Sequence, residues 1–127
     1  MTDEKIPVFD VHLHVQPWRM MRKEILDFVM PYVDNIELIQ SVMTDPEKLI
    51  ELMDNANIAK ALLINYPSEL MGFTSKVNEF IVEYCYKSSD RLFPVGGIDL
   101  KNVTEVKKEM VYFVKELGLA ALKIHTI

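Results

Sequence analysis

The sequence predicts an α/β fold: a parallel sheet of about four strands with intervening helices. Candidate strands start near Val8, Ala59, Arg91 and Leu119. The later starts are spaced by about thirty residues, which is the length of a βαβ unit. Strands that alternate with helices are typical of parallel sheets with right-handed crossovers. Half of the 127 residues are hydrophobic, so we expect a single domain, residues 1–127, with its own core.

Composition narrows the function classes. The net charge is −5 with scattered basic residues, which argues against nucleic acid or an anionic membrane as a partner. No apolar run has the length of a membrane span, and the charged start lacks the apolar segment of a signal peptide. One cysteine, Cys85, fits a buried small hydrophobe and a reducing compartment. We therefore expect a cytoplasmic protein that acts on a small molecule.

The first strand candidate carries the chemistry. Residues 8–14 alternate strictly, which places Asp10, His12 and His14 with Val8 on one face and apolar residues on the other. Two neutral imidazoles two residues apart on a strand point the same way and suit a divalent ion such as zinc. The alternative is that both are ordinary hydrogen-bonded histidines.

A long excursion follows this strand. Short helices are expected over residues 21–29 and 36–43, and Pro31 should end or kink the first. Loops at this end of a barrel shape active sites. The candidates for contact with a substrate are Trp18, Arg19, Arg22 and Tyr32. The alternative, which explains them equally well, is that these residues only cover the mouth of the barrel.

The middle of the chain gives clearer elements. Thr44 and Glu47 have capping-box spacing before a helix, and residues 59–66 form a nearly continuous apolar strand buried on both faces. Asn65, near its end, should face the site if the sheet belongs to a barrel. Apolar residues at helical spacing then predict a helix over residues 77–85.

The last part repeats the pattern. Residues 91–99 predict a third strand, which Pro94 and two glycines should make short or irregular. A helix over residues 103–117 follows, with Asn102 and Glu105 at capping spacing and Gly118 at its C-terminus.

On the final strand, Lys123 and His125 share a face by alternation. Lys123 is a candidate partner for an acidic substrate. The alternative is a structural ion pair with Asp10 or Asp99.

Residues 8–14, with the histidine pair His12 and His14, resemble the first strand of the amidohydrolase superfamily, in particular its amidohydrolase-related branch of metal-dependent hydrolases and decarboxylases. Residues 118–125 resemble the fourth strand of that branch. The resemblance implies the N-terminal half of a (β/α)₈ TIM-type barrel, in which His12 and His14 bind a catalytic divalent metal, zinc being favoured. It also implies that Lys123 is either a substrate contact or a carbamylated bridging lysine.

The activity that the resemblance implies is hydrolysis of a C–N bond, or decarboxylation, of a small carboxylate or amide. Asp10 would orient one of the metal-binding histidines without binding the metal itself. The family's further ligands, a histidine on the fifth strand and an aspartate on the eighth, have no counterpart in these residues. His125 is a candidate third ligand, and the catalytic residue stays unassigned.

Two other interpretations stay open. Four parallel strands expose two unpaired edges and a bare inner face, so we expect a homo-oligomer or a second half-barrel as partner. The chain can then be a catalytically inactive half-barrel that self-associates. It can also be an unrelated α/β domain whose histidines bind an anion.

Overall fold

A computed structural model of the chain describes residues 6–88, 90–101 and 104–124. Its strands are β1 (Val8–Leu13), β2 (Ile58–Ile64), β3 (Leu92–Gly97) and β4 (Ala121–Lys123). All neighbouring pairs are parallel, and the order across the sheet follows the order in the chain. This is the winding of a singly wound barrel, so the sheet is a half-barrel and the predicted fold class is confirmed.

In the described residues, five α-helices connect the strands. They are α1 (Lys23–Val29), α2 (Ile36–Thr44), α3 (Pro46–Asn55), α4 (Lys76–Tyr86) and α5 (Val106–Val111), with short 3₁₀ turns at Trp18–Met20 and Met30–Tyr32. No helix in the described part of the chain is both long and apolar enough to span a bilayer.

The core lies on the helix-covered face of the sheet. Ala61 and Leu63 of β2 are fully buried there, in one cluster with Met53 of α3 and Ile81 of α4. Cys85 belongs to the same cluster, and burial raises the pKa of its thiol to about 12. Cys85 is therefore a core residue, as the sequence predicts.

The opposite, inner face is more open than the sequence suggests. Lys60 of β2 is exposed and Leu62 is only half-buried, although Ile64 is buried. The apolar run of β2 predicted burial on both faces. Burial is complete only where helices cover the sheet, because nothing in the described chain covers the whole inner face.

The predicted strict alternation of β1 is wrong. Phe9 pairs with Lys60 and Asp10 with Ala61, and the register shifts on either side of these two pairs. Paired residues of neighbouring strands point to the same face, so Phe9 joins Lys60 on the inner face. Val8, Phe9 and Val11 are 47%, 50% and 60% exposed. An edge strand is held by one neighbour only, which leaves it free to take up such irregularities.

The start of α3 also differs from the prediction. Asp45, not Thr44, is the N-cap, and its Oδ1 accepts a hydrogen bond of 3.0 Å from the Glu47 amide. The Thr44 hydroxyl instead donates to the Gln40 carbonyl at 3.0 Å, within the last turn of α2. The two helices meet at Asp45 without a loop, so Thr44 belongs to the helix that precedes.

The helix before β4 is shorter and less regular than predicted. Glu105 stands at its N-cap without a side-chain capping bond, while Asn102 lies outside the described residues. The helix continues beyond Val111 as a π-helix, Tyr112–Leu117. Gly118 ends it with φ 92°, the left-handed conformation that the sequence predicts for a helix-terminating glycine.

Candidate metal centre

Two imidazoles converge at the carboxyl end of β1. His12 is the penultimate residue of the strand and His14 follows its end, and their Nε2 atoms lie 3.1 Å apart. The rings meet edge to face, with centroids 5.0 Å apart. The two histidines therefore point to the same side, as predicted, even though the rest of the strand does not alternate.

The separation of the two nitrogens suits a shared cation. Two nitrogens that each bind one tetrahedral zinc ion at about 2.0–2.1 Å lie about 3.3 Å apart. The observed 3.1 Å between the His12 and His14 Nε2 atoms is close to that value. Without a cation, the same distance fits one N–H···N hydrogen bond.

The neighbouring strand fixes the orientation of His14. Its Nδ1 lies 2.8 Å from the carbonyl oxygen of Ile64, the last residue of β2. A carbonyl can only accept, so Nδ1 carries the hydrogen and the lone pair of a neutral ring lies on Nε2. Metal-binding histidines use this kind of partner to present the correct nitrogen.

Asp10 acts on the backbone of the pair. Its Oδ1 accepts a hydrogen bond of 2.9 Å from the backbone N–H of His12. The irregular register leaves this amide next to the carboxylate. Asp10 thus supports the position of His12 through the main chain, and its role beside a metal stays a prediction.

Asn65 is placed differently from the expectation. Its side chain is 2% exposed, and its amide donates to the carbonyl of Val15. This bond ties the segment after His14 to the end of β2. The residue that turns to the inner face beside the histidines is the next one, Tyr66, which the sequence analysis did not select.

Tyr66 stands between His14 and Lys123. Its ring centroid lies 6.4 Å from that of His14 and 4.9 Å from the Lys123 ammonium nitrogen. A cation over an aromatic face at this distance gains about 0.5–1 kcal/mol at an exposed site. No carboxylate of the described residues is ion-paired with Lys123, so the alternative pairing with Asp10 or Asp99 is not formed there.

A glycine of β3 provides the space for Tyr66. A β-carbon added to Gly97 would lie 2.6 Å from the Tyr66 Cβ and 3.0 Å from the Lys123 carbonyl oxygen. Gly97 is itself held by Asn78 of α4, which is fully buried. The Asn78 amide donates to the Gly97 carbonyl at 2.8 Å, and its oxygen accepts from the Gly97 N–H at 2.9 Å.

The described part of the chain offers two candidate ligands, His12 and His14, at this position. Among the described residues, no group of three or more His, Cys, Asp or Glu side chains is placed to hold a metal ion. The predicted third ligand, His125, lies outside the described residues. Catalytic zinc sites usually have three protein ligands.

The loops after β2 and β3 are joined by an exposed ion pair. Lys101 Nζ donates to Glu69 Oε2 at 2.9 Å. The hydrogen bond and the charge of Lys101 lower the pKa of the Glu69 carboxyl. Exposed pairs of this kind contribute little stability, so Glu69 is a suitable control position at this end of the sheet.

The excursion after β1 does not bring its aromatic and basic residues to the histidines. Trp18 and Arg19 line a cavity of about 480 Å³ together with Tyr84 and Lys87. Tyr84 is held there by a hydrogen bond to the Val42 carbonyl. This cavity lies between the excursion and α4, on the helix-covered side of the sheet.

The other two candidates of the excursion also lie elsewhere. Arg22 packs against Gly72, and Tyr32 is exposed beside Phe28.

Comparison with solved structures supports the fold. The chain is similar to the crystal structure of 2,6-dihydroxybenzoate decarboxylase complexed with 2,6-dihydroxybenzoate, with a TM-score of 0.56 and 16% sequence identity. The match covers 91% of this chain and 38% of that one. No protein-family model and no curated protein matches the sequence. At 16% identity this likeness shows the fold alone.

Proposed function

We propose that the chain carries half of a metal-dependent active site of the amidohydrolase type. The observation that carries this proposal is the 3.1 Å separation of the His12 and His14 Nε2 atoms at the carboxyl end of the sheet. In parallel α/β barrels, active sites are built at that end. Zinc is the favoured ion because two neutral imidazoles suit it.

In this proposal the histidines bind the metal and Lys123 binds the substrate. His12 and His14 would hold the ion, and the hydrogen bond to the Ile64 carbonyl would leave the Nε2 lone pair of His14 available to it. A bound ion would act as a Lewis acid, which polarises a substrate carbonyl or carboxylate and lowers the pKa of bound water. Lys123 lies across Tyr66 from this centre, where its charge attracts an anionic group.

The proposed reaction is decarboxylation, or hydrolysis of a C–N bond, of a small carboxylate or amide. The similar solved structure is that of a decarboxylase, which favours the first of the two. The superfamily resemblance of residues 8–14 supports both. The proton donor stays unassigned.

We further propose that a second half-barrel completes the site. The inner face of the sheet is open, and the edge strand β1 exposes Val8, Phe9 and Val11. The chain spans 38% of the solved structure that it matches. Another half of similar build, from a second copy of the chain or from further residues, would close the sheet and bring additional ligands.

Zinc analysis of the purified chain tests the centre. We expect the purified chain to contain stoichiometric zinc. The double variant His12→Ala, His14→Ala should lose this zinc, and its affinity for zinc should fall by more than about 100-fold, because both ligands are removed. Glu69→Gln, which removes an exposed charge at the same end, should keep its zinc. Unchanged zinc content in the double variant would remove the site assignment.

A second candidate function is a catalytically inactive half-barrel that self-associates. It is favoured by the two-residue ligand set of the described chain and by the exposed apolar residues of β1. Sedimentation analysis of the purified chain should then show a dimer or larger species without turnover. Turnover by the purified chain argues against this candidate, and a monomer at high dilution argues against closure by a second copy.

A further inference from the structure

The ammonium group of Lys123 lies near the candidate centre and is ion-paired with no carboxylate of the described residues. Lys123 is the last residue of β4 and pairs with Gly97 of β3 on the inner face. Its charge lies over the ring of Tyr66, and no ion pair with a described carboxylate neutralises it. Lys123 is half-buried, and among the described residues its charge lies over a ring face and is ion-paired with no carboxylate. Its three N–H donors can therefore bind an anion.

The backbone next to Tyr66 is held in place by buried hydrogen bonds. Tyr66 fits over Gly97 because no β-carbon is present there. The Asn78 side chain holds both backbone groups of Gly97, and Asn65, which precedes Tyr66, is itself anchored to Val15. Buried hydrogen bonds therefore hold Gly97 beside the tyrosine and Asn65, the residue before it.

The geometry also relates this lysine to the histidine pair. The Tyr66 ring centroid lies 4.9 Å from Lys123 Nζ and 6.4 Å from the His14 ring centroid. One small molecule that lies along the tyrosine can therefore reach the ammonium group with one end and the imidazoles with the other.

We propose that Lys123 and Tyr66 form a carboxylate-binding position, and that the ligand is a small monocarboxylate rather than a neutral amide. This rests on the proposed function and names its substrate class. The ammonium group binds the carboxylate by charge-assisted hydrogen bonds. Tyr66 acts as a positioning residue, because it holds the ammonium group at a set distance from the centre.

The test uses benzoate and the neutral, similarly shaped benzamide as probes, titrated calorimetrically into the full chain. We expect the chain to bind benzoate more tightly than benzamide by about tenfold, as one hydrogen bond to a charged group provides. Lys123→Met should abolish this preference, and Lys123→Arg should retain most of it. The matched control is Lys60→Met, which removes the other inner-face lysine that lies over an aromatic ring, that of Phe93.

The titrations are repeated after chelation of divalent metal. A preference for benzoate that persists after chelation and disappears in Lys123→Met supports the proposal, even if zinc analysis disproves the metal centre. A preference that disappears on chelation, or that survives in Lys123→Met, overturns the proposal and leaves the zinc site standing. Equal effects of Lys60→Met and Lys123→Met also overturn it, because general loss of charge then explains both.

Discussion

Two lysines lie over aromatic rings on the inner face of the sheet, one at each end. Lys60 lies near the start of β2, 5.6 Å from the ring centroid of Phe93. Lys123 lies at the end of β4, 4.9 Å from that of Tyr66. The two contacts are chemically alike, so the difference between them must come from their surroundings.

The surroundings differ in polarity and support. At the amino end, the half-buried Phe93 packs against the exposed ring of Phe9, at a centroid distance of 5.9 Å. At the carboxyl end, the ring under the lysine also faces His14 and rests on a glycine held by buried hydrogen bonds. We therefore propose a ligand-binding role for the lysine at the carboxyl end and none for the lysine at the amino end.

The largest effect is expected from removal of the support at the carboxyl end. Asn78→Ala leaves the N–H and C=O of Gly97 without their side-chain partners inside the protein. Since each of the two buried unsatisfied groups costs about 1–3 kcal/mol, we expect the free energy of unfolding to fall by roughly 2–6 kcal/mol in urea denaturation.

The exposed neighbour Glu79 provides the control for this substitution. Glu79→Ala should change the free energy of unfolding by less than about 0.5 kcal/mol. A loss no larger for Asn78→Ala would mean that water replaces the lost bonds and that the two ends do not differ in support.

A smaller effect is expected from filling the space under Tyr66. In Gly97→Ala the new methyl group would meet Tyr66 at 2.6 Å, so the ring must move. Overpacking of this kind costs about 1–3 kcal/mol. We also expect a weaker preference for benzoate over benzamide, because the ring no longer positions Lys123. Full stability together with an unshifted Tyr66 in the NMR spectrum would contradict this.

The smallest effect is expected at the amino end. Lys60→Met removes an exposed charge that lies over the face of Phe93. The free energy of unfolding should change by less than about 1 kcal/mol, measured by urea denaturation at two salt concentrations. A larger loss than that of Gly97→Ala would reverse the comparison between the two ends.

The sequence predicted the parts of this fold that depend on local pattern. The periodicity of apolar residues located α3, α4 and the buried strand β2, and the left-handed glycine at 118 followed from helix-ending chemistry. The spacing of His12 and His14 predicted that their rings would converge, which needs only two residues of extended chain.

The sequence could not predict features that depend on pairing between strands. The alternation of β1 fails because its register with β2 shifts at an edge. Tyr66 reaches Lys123 because β2, β3 and β4 lie side by side and because β3 has a glycine, Gly97, where the tyrosine passes over it. No local pattern distinguishes Tyr66 from its neighbour Asn65, which was selected instead.

The break in the β1 register affects how a cation would be accommodated. Val11 and His12 together face the single residue Leu62, and the atoms that orient the pair belong to Asp10 and to the Ile64 carbonyl rather than to a continuous ladder. A small change in the distance between the His12 and His14 Nε2 atoms then needs only small changes in the torsion angles of these two residues. The hydrophobic core does not have to move. Ions of different radius should therefore be tolerated, and selection among them would fall to whatever ligands close the coordination sphere.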